Sequence, residues 1–391
     1  MKNVVGKPVV GENFFGRERE LDELDRITND EHVLLLAPRR VGKTSLLYAL
    51  SSKVDRESTA TSVFVSAATA KNELELVRTV LGAIYETREG KRFKPNRMGT
   101  WLRRHTGRVK GVKVAGSGID LDTQAAVEWQ EEADRAFSAI AATKHPWLIM
   151  IDELPTLVLL LARSDDTGTR VRAFMQWFRN LRQLPRGGEN LRFMLAGSIG
   201  LDNVTRRHRL TDTINDLRIW RLGPFTPENA DRFLAELARS YELELGDSLR
   251  RDICDRAEWL IPYHLQLIFS ELRDQCTGRA RPSAAALDRA IEAMLSRKAY
   301  FATWDERLHE AFGAPDAEHA RKLLAMCARE PRGATTSALQ QSLARSVPNS
   351  TDRATAVAWI LDVLANDGYL VEEAGRMRFR SGLLRRYWIK R

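Results

Sequence analysis

Cysteine is scarce in this 391-residue chain: three residues, Cys254, Cys276 and Cys327, stand far apart. None forms a C-x-x-C pair, and the seven histidines do not cluster. These absences exclude a disulfide framework and a structural zinc site. The thiols read as small buried apolar groups in a reducing compartment. A long uninterrupted apolar run is also missing. The greasiest stretch, WLIMIDELPTLVLLLA (147–162), is broken by Asp152, Glu153 and Pro155, which rules it out as a membrane span. The first twenty residues hold no apolar core of signal-peptide length. The expectation is a cytoplasmic protein with no membrane partner. Internal repeats and low-complexity tracts are absent as well.

Acid is missing from one place in particular. Residues 88–113 carry ten Lys or Arg and a single acid, Glu89, and residues 316–391 carry 13 basic and 8 acidic side chains. The whole chain is only +9, so everything outside these two segments is net acidic. Such concentrated positive charge favours an acidic partner. Phe93, Trp101 and His105 lie among the cations of the first segment, where rings could stack on bases. Arg97, Trp101, Arg103, Arg104, Arg108 and Lys110 are the candidate nucleic-acid contacts.

What is present is an alternation of strands and helices. HVLLLA (32–37), SVFVSA (62–67), WLIMID (147–152), LRFMLAGS (191–198) and LRIWRLGPF (217–225) read as short buried strands, with helical patterns between them. This order predicts an α/β fold, a P-loop-type parallel sheet with helices on both faces. A basic insertion interrupts it at about 88–122. After Gly223-Pro224 the chain turns helical, with segments at 227–241, 247–275 and 283–300. Helices at 318–329, 335–344 and 352–366, followed by a hairpin around Ala374-Gly375, describe a winged helix. The expected division is 1–225, 226–315 (a helical lid) and 316–391.

The first strand runs into Pro38-Arg39-Arg40-Val41-Gly42-Lys43-Thr44-Ser45 and then a helix. That placement is what a phosphate cradle needs. Gly42 lets the backbone come close, successive N–H groups and the helix N-terminus face the anion, Lys43 neutralises phosphate oxygens, and Thr44 can ligate magnesium. Where such loops usually begin with glycine, this one has Ala37. The third strand ends in Asp152-Glu153, a second magnesium ligand and a general base for the attacking water. Along the chain one strand, 62–67, falls between the strands bearing the two motifs, the mark of ATPases with an added strand and a catalytic glutamate. Ser198 closes the fourth strand, where its hydroxyl could meet a γ-phosphate. Arg206, Arg207 and Arg209 could supply a finger, in cis or within a homo-oligomer.

The motifs FFGRERELDEL, APRRVGKTSLL, IDELP, LAGS, LGPFTPENA and IPYHLQLIF, in this order, resemble the archaeal-type ATPases of the STAND class. These lie within the wider AAA+ group and are related to origin-recognition ATPases. The resemblance spans roughly 13–391. It implies a nucleotide domain, a helical lid, a winged helix and an ATP/ADP switch that uses magnesium. It further implies that Phe15, Gly16 and Arg17 border the adenine, that Pro262 packs near the nucleotide, and that a separate effector protein is the partner. Where relatives often place glycine before the proline motif, this chain has Trp259, Leu260 and Ile261. Two functions remain in play: an ATPase switch that binds nucleic acid, and a nucleotide-gated scaffold whose winged helix binds protein. A small-molecule kinase fits poorly, because an Asp-Glu pair after a buried strand suits hydrolysis.

Overall fold

The computed structural model describes residues 1–92, 123–165, 167–197, 201–276 and 281–390. The five predicted strands form one parallel sheet: β1 (Val33–Leu36), β2 (Thr61–Ser66), β3 (Trp147–Asp152), β4 (Leu191–Gly197) and β5 (Arg218–Arg221). Their spatial order is β2-β3-β4-β1-β5. Every side chain of β1 and β3 is buried, as the unbroken apolar runs require of strands covered on both faces. The strand that separates the two motif-bearing strands in space is β4, and β2 lies at the edge. The added strand is therefore 191–197 and not 62–67, because right-handed crossovers place strands by helix packing and not by chain order.

Around the sheet lie α1 (Glu18–Asp30), α2 (Lys43–Glu57), α3 (Glu73–Glu86), α4 (Thr123–Ala141), α5 (Leu154–Ser164), α6 (Thr169–Arg182) and α7 (Leu201–Arg207). The lid follows as α8 (Pro227–Ser240), α9 (Asp247–Ala257), α10 (Pro262–Asp274) and α11 (Ala284–Ser296). Its starts are written in the sequence. Thr226 caps α8 by accepting from the Asn229 N–H, Ser283 caps α11, and Pro227 and Pro262 occupy first-turn positions that need no donor. The predicted single helix 247–275 is in fact two, broken where Glu258 adopts φ 54° ahead of Pro262.

Two helices were not anticipated: α12 (Lys298–Phe312) and α16 (Gly382–Lys390). Helix α12 leads into the winged helix, built of α13 (Asp316–Arg329), β6 (Ala334–Thr335), α14 (Thr336–Ser342), α15 (Ser350–Asn366), β7 (Leu370–Glu373) and β8 (Arg376–Phe379). Its small antiparallel sheet has the order β6-β8-β7. This module is wedged onto the rest of the molecule. Helix α16 packs on α9 and α11 of the lid, and α15 packs on α7. An aromatic cluster fills the junction: Trp304 meets Trp259 and Tyr369 edge-on, and Tyr369 meets Trp388. The buried Tyr369 hydroxyl donates to the Trp304 carbonyl, which satisfies a group that would otherwise be costly to bury. Among the described residues no helix is long and apolar enough to cross a membrane.

Candidate active site

The turn from β1 into α2 has the backbone of an anion cradle. Arg40 and Gly42 take left-handed conformations, φ 68° and 98°, which curl the loop so that successive N–H groups can face inward. Arg17 braces this loop from below. Its buried guanidinium donates to the carbonyls of Gly223 (2.7 Å), Pro224 (3.3 Å) and Val41 (3.4 Å), and it stacks over the Phe225 ring. Arg17 thus ties the loop to the start of the lid as well as lining the cavity. Gly16 accepts from the Asn229 amide, which joins the same two regions.

At the bottom of the cradle the predicted residues converge. Lys43 Nζ donates to Asp152 Oδ1 at 2.6 Å and to Glu153 Oε1 at 3.0 Å. Thr44 Oγ1 donates to Asp152 Oδ2 at 3.1 Å. Glu153 sits at φ 56° as the residue before α5, a strained position that turns its carboxylate toward Lys43. Burial would raise its pKa, but the positive charges of Lys43, Arg307 and Arg39 hold it down to about 2. Thr44 and Asp152 offer the hard oxygen donors that suit magnesium, with few protein ligands and room for phosphate oxygens and water.

Above the cradle opens a cavity of about 230 Å³, lined by Phe15, Arg17, Arg39, Lys43, Thr44, Glu153 and Pro262 among others. Phe15 tilts against Phe233 of α8, and Pro262 opens α10, so the expected base-binding side is bounded by the lid. Pro38, Arg40, Val41, Gly42 and Ser45 line the same space. Ser198, Arg97, Trp101, Arg103, Arg104, Arg108 and Lys110 lie outside the described residues.

Sequence reasoning missed three contributors. The first is the segment before Phe14: the Val9 N–H donates to Ser45 Oγ (3.0 Å), and the Gly6 carbonyl accepts from Arg40 (3.3 Å). The second is α12, whose Thr303, Arg307 and Glu310 recur at helical spacing and meet the cradle. Arg40 reaches Thr303 Oγ1 (3.2 Å), Arg39 reaches Glu310 (3.2 Å), and Arg307 lies 3.9 Å from Glu153 Oε2. The third is Asp367 at the end of α15, 3.6 Å from Arg307. Burial pushes the Asp367 carboxyl up to about 6, against the pull of Arg307 and Arg39. No local pattern announces partners brought in from between 34 and 271 residues away.

Arg206 and Arg207 are spoken for. Arg206 pairs with Asp362 of α15 (3.3 Å), and Arg207 pairs with Asp316 (3.4 Å) and lies over the Trp359 ring.

The turn between β1 and α2, answered by an Asp-Glu pair at the end of the strand two places away, lies in a parallel five-stranded sheet flanked by helices, a P-loop-type fold. Solved structures share it. A Walker-type ATPase of Pyrococcus abyssi superposes with a TM-score of 0.62 at 17% identity, over 99% of each chain. The ORC2 protein of Aeropyrum pernix, in its ADPNP-ADP complexes, gives 0.54 at 15% identity, over 97% of this chain and 95% of that one. No protein-family model matches the chain, and no curated protein does. The expected fold, a parallel sheet followed by a helical lid and a winged helix, is the one observed.

Proposed function

We propose that this protein is an ATP-binding and slowly hydrolysing switch of the AAA+/STAND kind. On this reading it holds nucleic acid through its basic insertion and passes its nucleotide state to a separate partner protein. The observation that carries the ATPase reading is the meeting of Lys43, Thr44, Asp152 and Glu153 beneath a cavity walled by the lid. Lys43 Nζ donates to the carboxylates of Asp152 and Glu153. A triphosphate offers it more negative charge, so the ammonium turns to phosphate oxygens and releases Glu153 Oε1 toward water. Thr44 and Asp152 would hold magnesium, which would supply positive charge to offset the negative charge of the phosphates. Glu153 then accepts the proton of the attacking water. Arg206 or Arg207, once freed from the C-terminal module, or Arg209 could complete the site of a neighbouring copy.

The test is a calorimetric ATP titration paired with single-turnover hydrolysis. Lys43→Ala is expected to abolish binding, and near-normal affinity would sink the cradle. Glu153→Gln is expected to bind ATP yet hydrolyse it about 10²–10⁴-fold more slowly. Parental rates in that variant would remove Glu153 as the base.

A second reading is favoured by a specific observation. The third helix of the winged module, α15, is docked on α7 through Asp362 and Trp359. In that arrangement the module acts as a protein-binding element of a nucleotide-gated scaffold. A pull-down with the Glu153→Gln protein after nuclease treatment separates the two: loss of the associate supports nucleic acid, and its retention supports a protein partner.

A further inference from the structure

Most of the cavity wall is blind to the identity of a base. Phe15, Phe225, Phe233 and Pro262 offer apolar and aromatic faces, on which any base can stack. The hydroxyls nearest the phosphate loop are engaged: Ser45 Oγ accepts from the Val9 N–H, and Thr44 Oγ1 donates to Asp152. Elsewhere in the wall, the Tyr263 hydroxyl donates to the Tyr300 carbonyl (2.9 Å), and Asn13 Oδ1 already accepts from the Lys2 N–H (2.6 Å).

Gln266 departs from this pattern. It is 9% exposed and lines the cavity one turn along α10 from Pro262, on the face that Pro262 shares. Its backbone carbonyl accepts from Asn3 Nδ2 at 3.1 Å, but its carboxamide has no hydrogen-bond partner among the described residues. Of the uncharged side chains described in this wall, it alone keeps both a donor and an acceptor unengaged. Burying such an amide unsatisfied is costly, so the arrangement suits a ligand that brings both partners.

The segment before Phe14 places Gln266 relative to the cradle. It runs from Val9 at Ser45, past Gly6, whose carbonyl accepts from Arg40, to Asn3 at Gln266. Gln266 therefore stands at the far end of that segment from the phosphate loop, on the side where a nucleotide seated in the cradle extends its base.

We propose that Gln266 is the specificity-determining residue for adenine. Its Oε1 accepts from the 6-amino group and its Nε2 donates to N7, the pairing a glutamine makes when it reads that edge of adenine. Guanine presents two acceptors there, O6 and N7, so Oε1 would meet an oxygen in place of a donor. This deepens the ATPase reading of the same cavity and rests on it.

The test is calorimetric titration of the parent and of Gln266→Met with ATP, GTP and purine riboside triphosphate, which is ATP without the 6-amino group. Methionine keeps the length of the side chain and removes both hydrogen-bonding groups. The parent is expected to bind ATP about tenfold to hundredfold more tightly than the other two. In Gln266→Met the three affinities are expected to converge to within about threefold, through loss of ATP affinity. A merely structural role would lower all three alike, and affinity ratios unchanged in the variant overturn the proposal. The parent alone supplies a second check that does not depend on the variant folding. There 7-deaza-ATP, with carbon in place of N7, is expected to bind about threefold to tenfold more weakly than ATP. Parental affinity for 7-deaza-ATP or for purine riboside triphosphate equal to that for ATP overturns the proposal. Failure of the underlying ATPase reading looks different: the parent would bind no triphosphate more tightly than Lys43→Ala does.

Discussion

His264 shows how much a single buried side chain can tie stability to pH. It lies at the first turn of α10, fully buried, with its ring edge-on to Trp259. Burial lowers its pKa to about 4, so the folded protein keeps it neutral where an unfolded chain would charge it near 6.5. The folded-state value is the depressed one, and the unfolded state binds the proton more readily. The stability gained from a neutral His264 is thus present above about pH 6.5 and lost as pH falls toward 4, amounting to up to about 3 kcal/mol. Chemical denaturation of His264→Phe beside the parent should show a stability difference that shrinks in the parent's disfavour below pH 6.5. A difference that is flat with pH would mean that His264 is not held neutral. Legibility at this scale was uneven. Lys43, Thr44, Asp152 and Glu153 could be read because each lies at the end of a buried strand or a short loop beyond it, so position along the chain gives position in the site. Arg307 and Asp367 could not, since a lone arginine in a helix and an aspartate at a helix end have the same local signature on any solvated face.

Among elements, the strands were legible for the same reason: continuous apolar runs have few alternative fates. Helix α12 was not, because its polar stripe of Thr303, Arg307 and Glu310 resembles an exposed face until the cradle arginines are placed beneath it. The break between α9 and α10 was readable in principle, as the residue before a proline resists helical conformation. The turn that seats the winged module offers a direct test. Gly368 adopts φ 89°, and an added Cβ would collide with the Trp259 ring and lie 2.9 Å from Pro38 of the cradle. Gly375 in the hairpin also has positive φ (72°) but meets nothing within 4 Å. Both alanine variants bear backbone strain of order 1 kcal/mol or more, and only Gly368→Ala adds a clash. Limited proteolysis is expected to release the C-terminal module faster in Gly368→Ala than in Gly375→Ala. Equal rates would show that this turn does not hold the module down.

Charge is best judged over the whole molecule. The positive excess of the wing and tail is largely engaged within the chain. Arg378 pairs with Glu373, Arg386 and Lys390 with Glu292, Arg376 donates to the Gly333 carbonyl, and Arg385 donates to that of Ala328. This leaves the 88–122 insertion as the stronger candidate for nucleic acid. Replacing Arg103, Arg104 and Arg108 with Ala should weaken binding alike on all sequences and lower the slope of log K against log salt by up to about three. Arg378→Ala should change it little. Fluorescence anisotropy over a salt series, with duplex and single-stranded probes, measures both. A parent protein that binds neither probe at low salt would leave the protein-binding scaffold as the better account.

The seat of β1 in the sheet bears on how the protein is made. Val33 pairs with Met194 on one side and Arg218 on the other, so the strand that launches the cradle waits for partners synthesised much later. Until residue 221 has left the ribosome, the sequence Val33-Leu34-Leu35-Leu36 has no lasting place to pair, and it is the kind of segment that chaperones and wrong partners capture. Competence to bind ATP would then arrive late in synthesis and abruptly, and a truncated chain ending before β5 would accumulate as insoluble material, not as a smaller working ATPase.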